Sequence, residues 1–228
     1  MRRLVRDVST VLIIAGVLML IDAAVTVVWQ EPVTAAIGLI RRDQINDRYL
    51  NLAAVPLSPI DTRAFDSLKD MSAKIAFLAR REAEEVPTGA AIGRLVIAKI
   101  SASYDIVQGT DTASLEQGPG HYPSTAFPGL GETVAIAGHR TTYLAPFRNL
   151  NELVKGDRID VDMPYADFTY VVQYQRVVTP NSWWITRNVG YERLVLSACN
   201  PLYSASQRIV VFARLQAVQP TPETLAGS

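Results

Sequence analysis

The sequence predicts a mainly β domain, a closed or partly closed barrel or a sandwich, carried behind a membrane-spanning helix. Three observations support this. From Ala90 onward the hydrophobic period is two rather than helical, and Arg158-Ile159-Asp160-Val161-Asp162-Met163 alternates strictly. Six or more short apolar or β-branched runs are separated by long Pro- and Gly-bearing loops with little helix between them. Ahead of them, Val11 to Trp29 carries only Asp22 and Thr26 as polar side chains. At 228 residues there is room for one modest domain plus extras at roughly 150 residues per domain. With 49% hydrophobic and 19% charged residues the chain is rich enough in apolar side chains to bury a core.

The first segment, residues 1–30, reads as a basic end followed by a signal anchor. Nineteen helical residues reach roughly 28 Å, close to the ~30 Å of a hydrocarbon core, whereas a signal-peptide apolar region stops at about 7–15 residues. Arg2, Arg3 and Arg6 precede the run, and the next basic residues, Arg41 and Arg42, come a dozen positions after it. The positive-inside rule then leaves the amino terminus cytoplasmic and the bulk of the chain outside, as a single-pass protein of the cell membrane. The alternative is a cleaved signal peptide, for which Asp22-Ala23-Ala24 is a poor cleavage site.

Residues 31–89 read as a helical stalk and linker. Glu31 to Tyr49 is moderately amphipathic, and Asn51 to Pro59 is punctuated by proline. Asp61 and Thr62 are candidate caps for a helix in which Phe65, Leu68, Ser72, Ile75 and Ala79 recur at three- and four-residue spacing, stopped by Pro87-Thr88-Gly89. Residues 90–218 form the β domain. Its predicted strands are Leu95–Ile100, Thr133–Ala137, Arg158–Met163, Phe168–Tyr174, Leu194–Ala198 and Ile209–Leu215. Trp183 and Trp184 are expected to line a substrate groove or, the reading preferred here, to belong to the core, and residues 219–228 are expected as a frayed polar tail.

Composition excludes several functions. Lys+Arg and Asp+Glu are both 22, so no basic face for nucleic acid is available. One cysteine against two histidines excludes an internal disulfide and a clustered Cys/His zinc site. Asp160 and Asp162 share a strand face, but two carboxylates fall short of the six to eight oxygens of a calcium site. Neither a metal nor a cofactor is expected.

The candidate chemistry gathers at strand ends. The strand Ala135-Ile136-Ala137 runs through Gly138 into His139, and Leu194–Ala198 delivers Cys199 just before Asn200-Pro201. Arg208 opens the next strand; if these two strands are antiparallel neighbours, Cys199 and Arg208 share a rim. A thiolate is a nucleophile, a neighbouring cation favours it, an imidazole transfers protons near neutrality, and a guanidinium suits a developing oxyanion. On position alone, a cysteine after an apolar strand is most often a small core residue.

Five ordered segments, Gly118-Pro119-Gly120-His121-Tyr122-Pro123, Ala137-Gly138-His139-Arg140-Thr141-Thr142-Tyr143, Pro146-Phe147, Leu196-Ser197-Ala198-Cys199-Asn200-Pro201 and Tyr203-Ser204-Ala205-Ser206-Gln207-Arg208, resemble the sortases. These are cysteine transpeptidases of Gram-positive cell surfaces, and the likeness is greatest to class E of actinobacteria. The resemblance covers about residues 90–217 and implies an eight-stranded β-barrel. It implies cleavage of a C-terminal sorting signal, Leu-Ala-x-Thr-Gly or Leu-Pro-x-Thr-Gly in type, between Thr and Gly. The resulting thioester is resolved by an amine, from a lipid-linked cell-wall precursor or a pilin lysine. Carried over residue by residue, Cys199 is the nucleophile, His139 the general acid/base and Arg208 the oxyanion or substrate-positioning group. Tyr143 and Ala198 are assigned to substrate binding, and His121 to shaping its loop.

Two positions depart from the family pattern. Ala198 stands where a threonine usually precedes the cysteine, and Leu144 where class E commonly has glycine. Papain-like hydrolases place cysteine before histidine, and L,D-transpeptidases place histidine two residues before cysteine, where this chain has Ser197. The remaining alternative is a weakly active or inactive membrane-tethered barrel with a binding or structural role, motivated by Ala198.

Overall fold

The computed structural model describes residues 2–28 and 57–226. The amphipathic reading of Glu31 to Tyr49 lies outside the described residues, as does most of the proline-punctuated linker. Helix α1, Arg2–Val28, contains a stretch from Val5 to Val25 long and apolar enough to cross a membrane.

The predicted stalk helix is two helices, α2 (Pro59–Ser67) and α3 (Met71–Glu85), separated at Leu68-Lys69-Asp70. The cap of α2 is Ser58 rather than Asp61 or Thr62: its hydroxyl oxygen accepts from the Asp61 backbone N–H at 3.2 Å, and Pro59 occupies the first turn. Arg81 of α3 pairs with Asp61 of α2 at 3.6 Å, and Phe65 faces Phe77 with ring centroids 6.3 Å apart. Helix α3 is no free spacer. Ile75 and Ala79 are buried in the barrel's main hydrophobic cluster, so the folded domain reaches upstream of residue 90.

Eight strands close into one barrel: β1 (Ala91–Ile97), β2 (Ala102–Gln108), β3 (Gly120–His121), β4 (Thr133–Ala137), β5 (Arg158–Asp162), β6 (Ala166–Val178), β7 (Arg193–Asn200) and β8 (Gln207–Pro220). Around the barrel the order is β1-β2-β3-β4-β7-β8-β6-β5, and β5 returns to β1 through Arg94↔Asp162, Leu95↔Val161 and Val96↔Asp160. All six strands expected from the sequence are present, β4 with the expected ends and the other five with shifted ones; β2 and the two-residue β3 are additional. Most neighbours are antiparallel, but β4 runs parallel to β7, which brings the C-terminal ends of both to the same rim.

Strand alternation sorts the side chains. Val134, Ile136, Leu194, Leu196, Ile209 and Val211 point into the barrel with Phe147, Phe168 and Tyr170. Each fully buried Phe contributes about 1.5–3 kcal/mol relative to an exposed one. The opposite face of β4, β7 and β8 presents Ala135, Val195, Val210 and Phe212, covered by Ile185 from the β6–β7 connection. Trp184 stacks on Phe212 (5.8 Å, 11°) and Tyr174 stacks there too (4.7 Å, 26°). Trp183 is 77% exposed, which corrects its expected place in the core; its neighbour does the covering.

Residues 219–226 are also more ordered than a frayed tail. β8 continues to Pro220, a short helix forms over Pro222–Ala226, and Thr224, 4% exposed, donates to the Tyr165 carbonyl at 2.8 Å. His121 is a buried hydrogen-bonding hub. Its ring nitrogens lie 2.8 Å from Gln108 Oε1 and 3.0 Å from the Ala126 carbonyl, and burial pushes its imidazole down to about 4.

Candidate active site

β7 delivers Cys199 to the rim by alternation. Leu194, Leu196 and Ala198 face the core, so Val195, Ser197 and Cys199 face outward, and Cys199 is half-buried where the strand ends. Ser197 lies below it, its hydroxyl 3.0 Å from Tyr122 Oη. Across the antiparallel ladder Cys199 is paired directly with Arg208, on the face of β8 that carries Val210 and Phe212. The two strands are the consecutive neighbours that the sequence reading required.

His139 arrives from the other side. β4 ends with Ala137 opposite Ser197, and the Gly138 N–H donates to the Ser197 carbonyl at 3.0 Å. His139 follows two residues after the last paired position of β4, in the loop whose Arg140 reaches the Cys199 carbonyl at 3.5 Å. Gly138 is required for close approach: a β-carbon there would sit 2.5 Å from the Phe147 ring, which plugs the barrel beneath the loop.

The loop after His139 folds back on itself. The Phe147 N–H donates to the His139 carbonyl at 3.0 Å, and Tyr143, Leu144 and Ala145 hold φ of 48°, 65° and 43° in succession. Left-handed backbone costs side-chain-bearing residues about 1–2 kcal/mol each, so this run is strained. Bonds from the Ala145 N–H to the Thr142 carbonyl (2.8 Å) and from Tyr104 Oη to the Leu144 carbonyl (3.2 Å) hold it. Leu144, at φ 65°, occupies a conformation that glycine adopts without strain, so the departure at this position has a local energetic meaning. A cleft of about 190 Å³ opens beside the run, lined by Ile100, Ser101, Tyr104, Leu144, Pro146 and Arg148 among others.

The ring of Tyr143 lies 5.2 Å from that of His139, tilted by 37°, and its hydroxyl donates to Glu116 Oε1 at 2.9 Å. Burial pushes the His139 imidazole below its ordinary value, opposed by the Glu116 carboxylate. His139 Nε2 is buried without a hydrogen-bond partner. Arg208 Nη1 donates to the Ala205 and Gln207 carbonyls, both at 2.9 Å, which ties its guanidinium to the β7–β8 loop.

The geometry gathers Cys199, Arg208, His139 and Tyr143 at one rim. Ala198, assigned to substrate binding from the sequence, sits on the other side of the strand. That side chain is 3% exposed inside the barrel, paired across the ladder with Ile209, and alternation turns it away from the face that carries Cys199. The sequence reading also missed Glu116, whose contact with Tyr143 spans 27 positions, and the bonding of Arg140, which stands beside His139 but acts 59 and 60 positions away on Cys199 and Asn200.

A family model described as the sortase domain matches residues 95–216, the span that contains every rim group above. The chain belongs to the sortase family. Sortase D of Bacillus subtilis (strain 168) is 35% identical over 131 residues, which are 56% of this chain and 65% of that protein. The chain thus spans just under two thirds of that relative's length. Among solved structures, sortase E1 from Streptomyces coelicolor with a tripeptide in its active site superposes with a TM-score of 0.56 at 26% identity, covering 60% of this chain and 97% of that one. Sortase E from Streptomyces avermitilis gives 0.54 at 30% identity, covering 61% and 99%. The closed eight-stranded sortase barrel expected from the resemblance is therefore the fold of this chain.

Proposed function

We propose that this chain is a membrane-anchored sortase-type cysteine transpeptidase. The observation that carries the reading is the direct pairing of Cys199 with Arg208, beside the loop that leaves β4 through Gly138, whose N–H bonds the Ser197 carbonyl, and carries His139. In the first half-reaction the Cys199 thiolate attacks the threonine carbonyl of a C-terminal sorting signal, and the tetrahedral oxyanion is stabilised by Arg208. His139 gives a proton to the departing glycine amine, leaving a thioester on Cys199 and a neutral imidazole. In the second half an acceptor amine attacks the thioester, His139 takes its proton, and the Cys199 thiolate is regenerated.

The tripeptide in the active site of the Streptomyces coelicolor relative supports a peptide substrate for the corresponding rim here. In this reading Tyr143 bounds the pocket for the signal, which its bond to Glu116 and its ring contact with His139 support. The substrates are surface proteins bearing a signal of the Leu-Ala-x-Thr-Gly or Leu-Pro-x-Thr-Gly type. The acceptor is an amine of a lipid-linked cell-wall precursor or of a pilin lysine. Helix α1 supplies the anchor; its leading arginines stay cytoplasmic and the barrel stands outside the cell.

Incubating the full chain in detergent with both signal peptides and an oligoglycine tests this. The expected result is a ligated product from at least one peptide, lost in Cys199→Ala. Product formed equally by Cys199→Ala contradicts the mechanism.

A further inference from the structure

Arg140 is 6% exposed and makes four hydrogen bonds, none to a carboxylate. Nε donates to the Arg148 carbonyl (3.2 Å), Nη2 to Asn151 Oδ1 (2.6 Å), and Nη1 to Asn200 Oδ1 (2.7 Å) and, more weakly, to the Cys199 carbonyl (3.5 Å). A buried guanidinium without an acid partner is expensive, because neutral oxygens compensate only part of its lost hydration. Burial and the nearby Arg148 both push Arg140 below its ordinary value, and the group that pulls the other way is Cys199.

We propose that Arg140 is a positioning residue for Cys199, its fork locking the His139 loop to the end of β7 and its buried charge favouring the thiolate. The inference deepens the transpeptidase reading and rests on Cys199 being the nucleophile. The charged and titratable groups around Cys199 come from three elements. His139 and Arg140 follow β4, Arg208 opens β8, and Tyr203 in the β7–β8 loop is tied to Arg148 by a 3.3 Å bond to its hydroxyl. Arg208 binds its own loop's carbonyls at the surface, where solvent screens its field, whereas Arg140 is shielded.

Cys199 is the chain's single cysteine, so iodoacetamide alkylation across a pH series reads its thiolate directly, with no sorting signal present. Two variants of the full chain in detergent decide the question. Arg140→Gln removes the charge. Asn151→Asp keeps the guanidinium in place but sets a carboxylate against Nη2, offsetting its charge. Both are expected to move the alkylation midpoint up by roughly one pH unit, with thermal melting reporting the fold. Arg140→Lys, which keeps the charge and loses the fork, is expected to hold the midpoint near wild type while peptide transfer falls.

A folded Asn151→Asp protein with an unmoved midpoint overturns the proposal, even where Arg140→Gln fails to fold. Absence of peptide transfer by the wild type, with these midpoint shifts present, overturns the transpeptidase reading instead.

Discussion

His139 has two neighbours that pull its proton affinity in opposite directions. Burial favours the neutral imidazole, and Glu116, held by the Tyr143 hydroxyl, favours the charged one. Desolvation is the larger effect, so the His139 imidazole is held below its ordinary value. Removing the opposing carboxylate strengthens that trend. In Glu116→Gln the NMR titration midpoint of the His139 ring is expected to fall further, and an unchanged midpoint would show that Glu116 does not act on the ring. This balance was not legible in the sequence. His139, Cys199 and Arg208 were named there through the motifs that resemble the sortases; their places at strand ends alone favoured a small core residue for the cysteine. Glu116 sits in an ordinary polar segment, and its role exists only once the loop after β2 folds over the loop after β4. Ala198 stands next to Cys199 in the chain, but alternation gives it the opposite environment, inside the barrel.

The loop between β4 and the turn at Leu150 does most of the positioning. Gly138 lets the strand pass over the Phe147 ring, and the left-handed run at Tyr143, Leu144 and Ala145 turns the chain back. Gly138→Ala is therefore expected to destabilise the domain by about 1–3 kcal/mol, since the new methyl must displace a fully buried ring. Denaturant unfolding measures this; a loss under 0.5 kcal/mol would mean that the Phe147 contact yields. The strands with clear alternation or long apolar runs were readable. β2 (Ala102–Gln108) was not, because its Tyr104 and Asp105 break the pattern; Asp105 is 5% exposed and satisfied at 2.9 Å by Arg94 on β1. Two-residue β3 has no periodicity to read. The break between α2 and α3 was hidden because Leu68 and Ser72 fit one continuous helical spacing, although Ser58, Pro59 and Asp61 mark the start of α2.

At the scale of the whole molecule, α3 belongs to the barrel domain, and its contact is pH-sensitive. Burial pushes the Glu82 carboxyl up to about 8, with Arg81 opposing and Glu85 adding to the rise, and Glu82 Oε1 is buried without a hydrogen-bond partner. The folded state keeps a proton that the unfolded chain releases near 4.5, so this stabilisation is complete below about 4.5 and lost as pH rises through about 8. The slope approaches about 1.4 kcal/mol per pH unit inside that window. Unfolding free energies from pH 5 to 8 should therefore fall more steeply in the wild type than in Glu82→Gln; parallel curves would contradict a proton held at this site. The proposed transpeptidase reading turns on one chemical event, acylation of Cys199. Mass spectrometry of the full chain, quenched in acid after mixing with a sorting-signal peptide and no amine, tests it most directly. The account predicts an adduct equal to the peptide up to its threonine, mapped to Cys199 and removed by hydroxylamine. An unmodified Cys199 alongside cleaved peptide, or the same adduct on another residue, would contradict it.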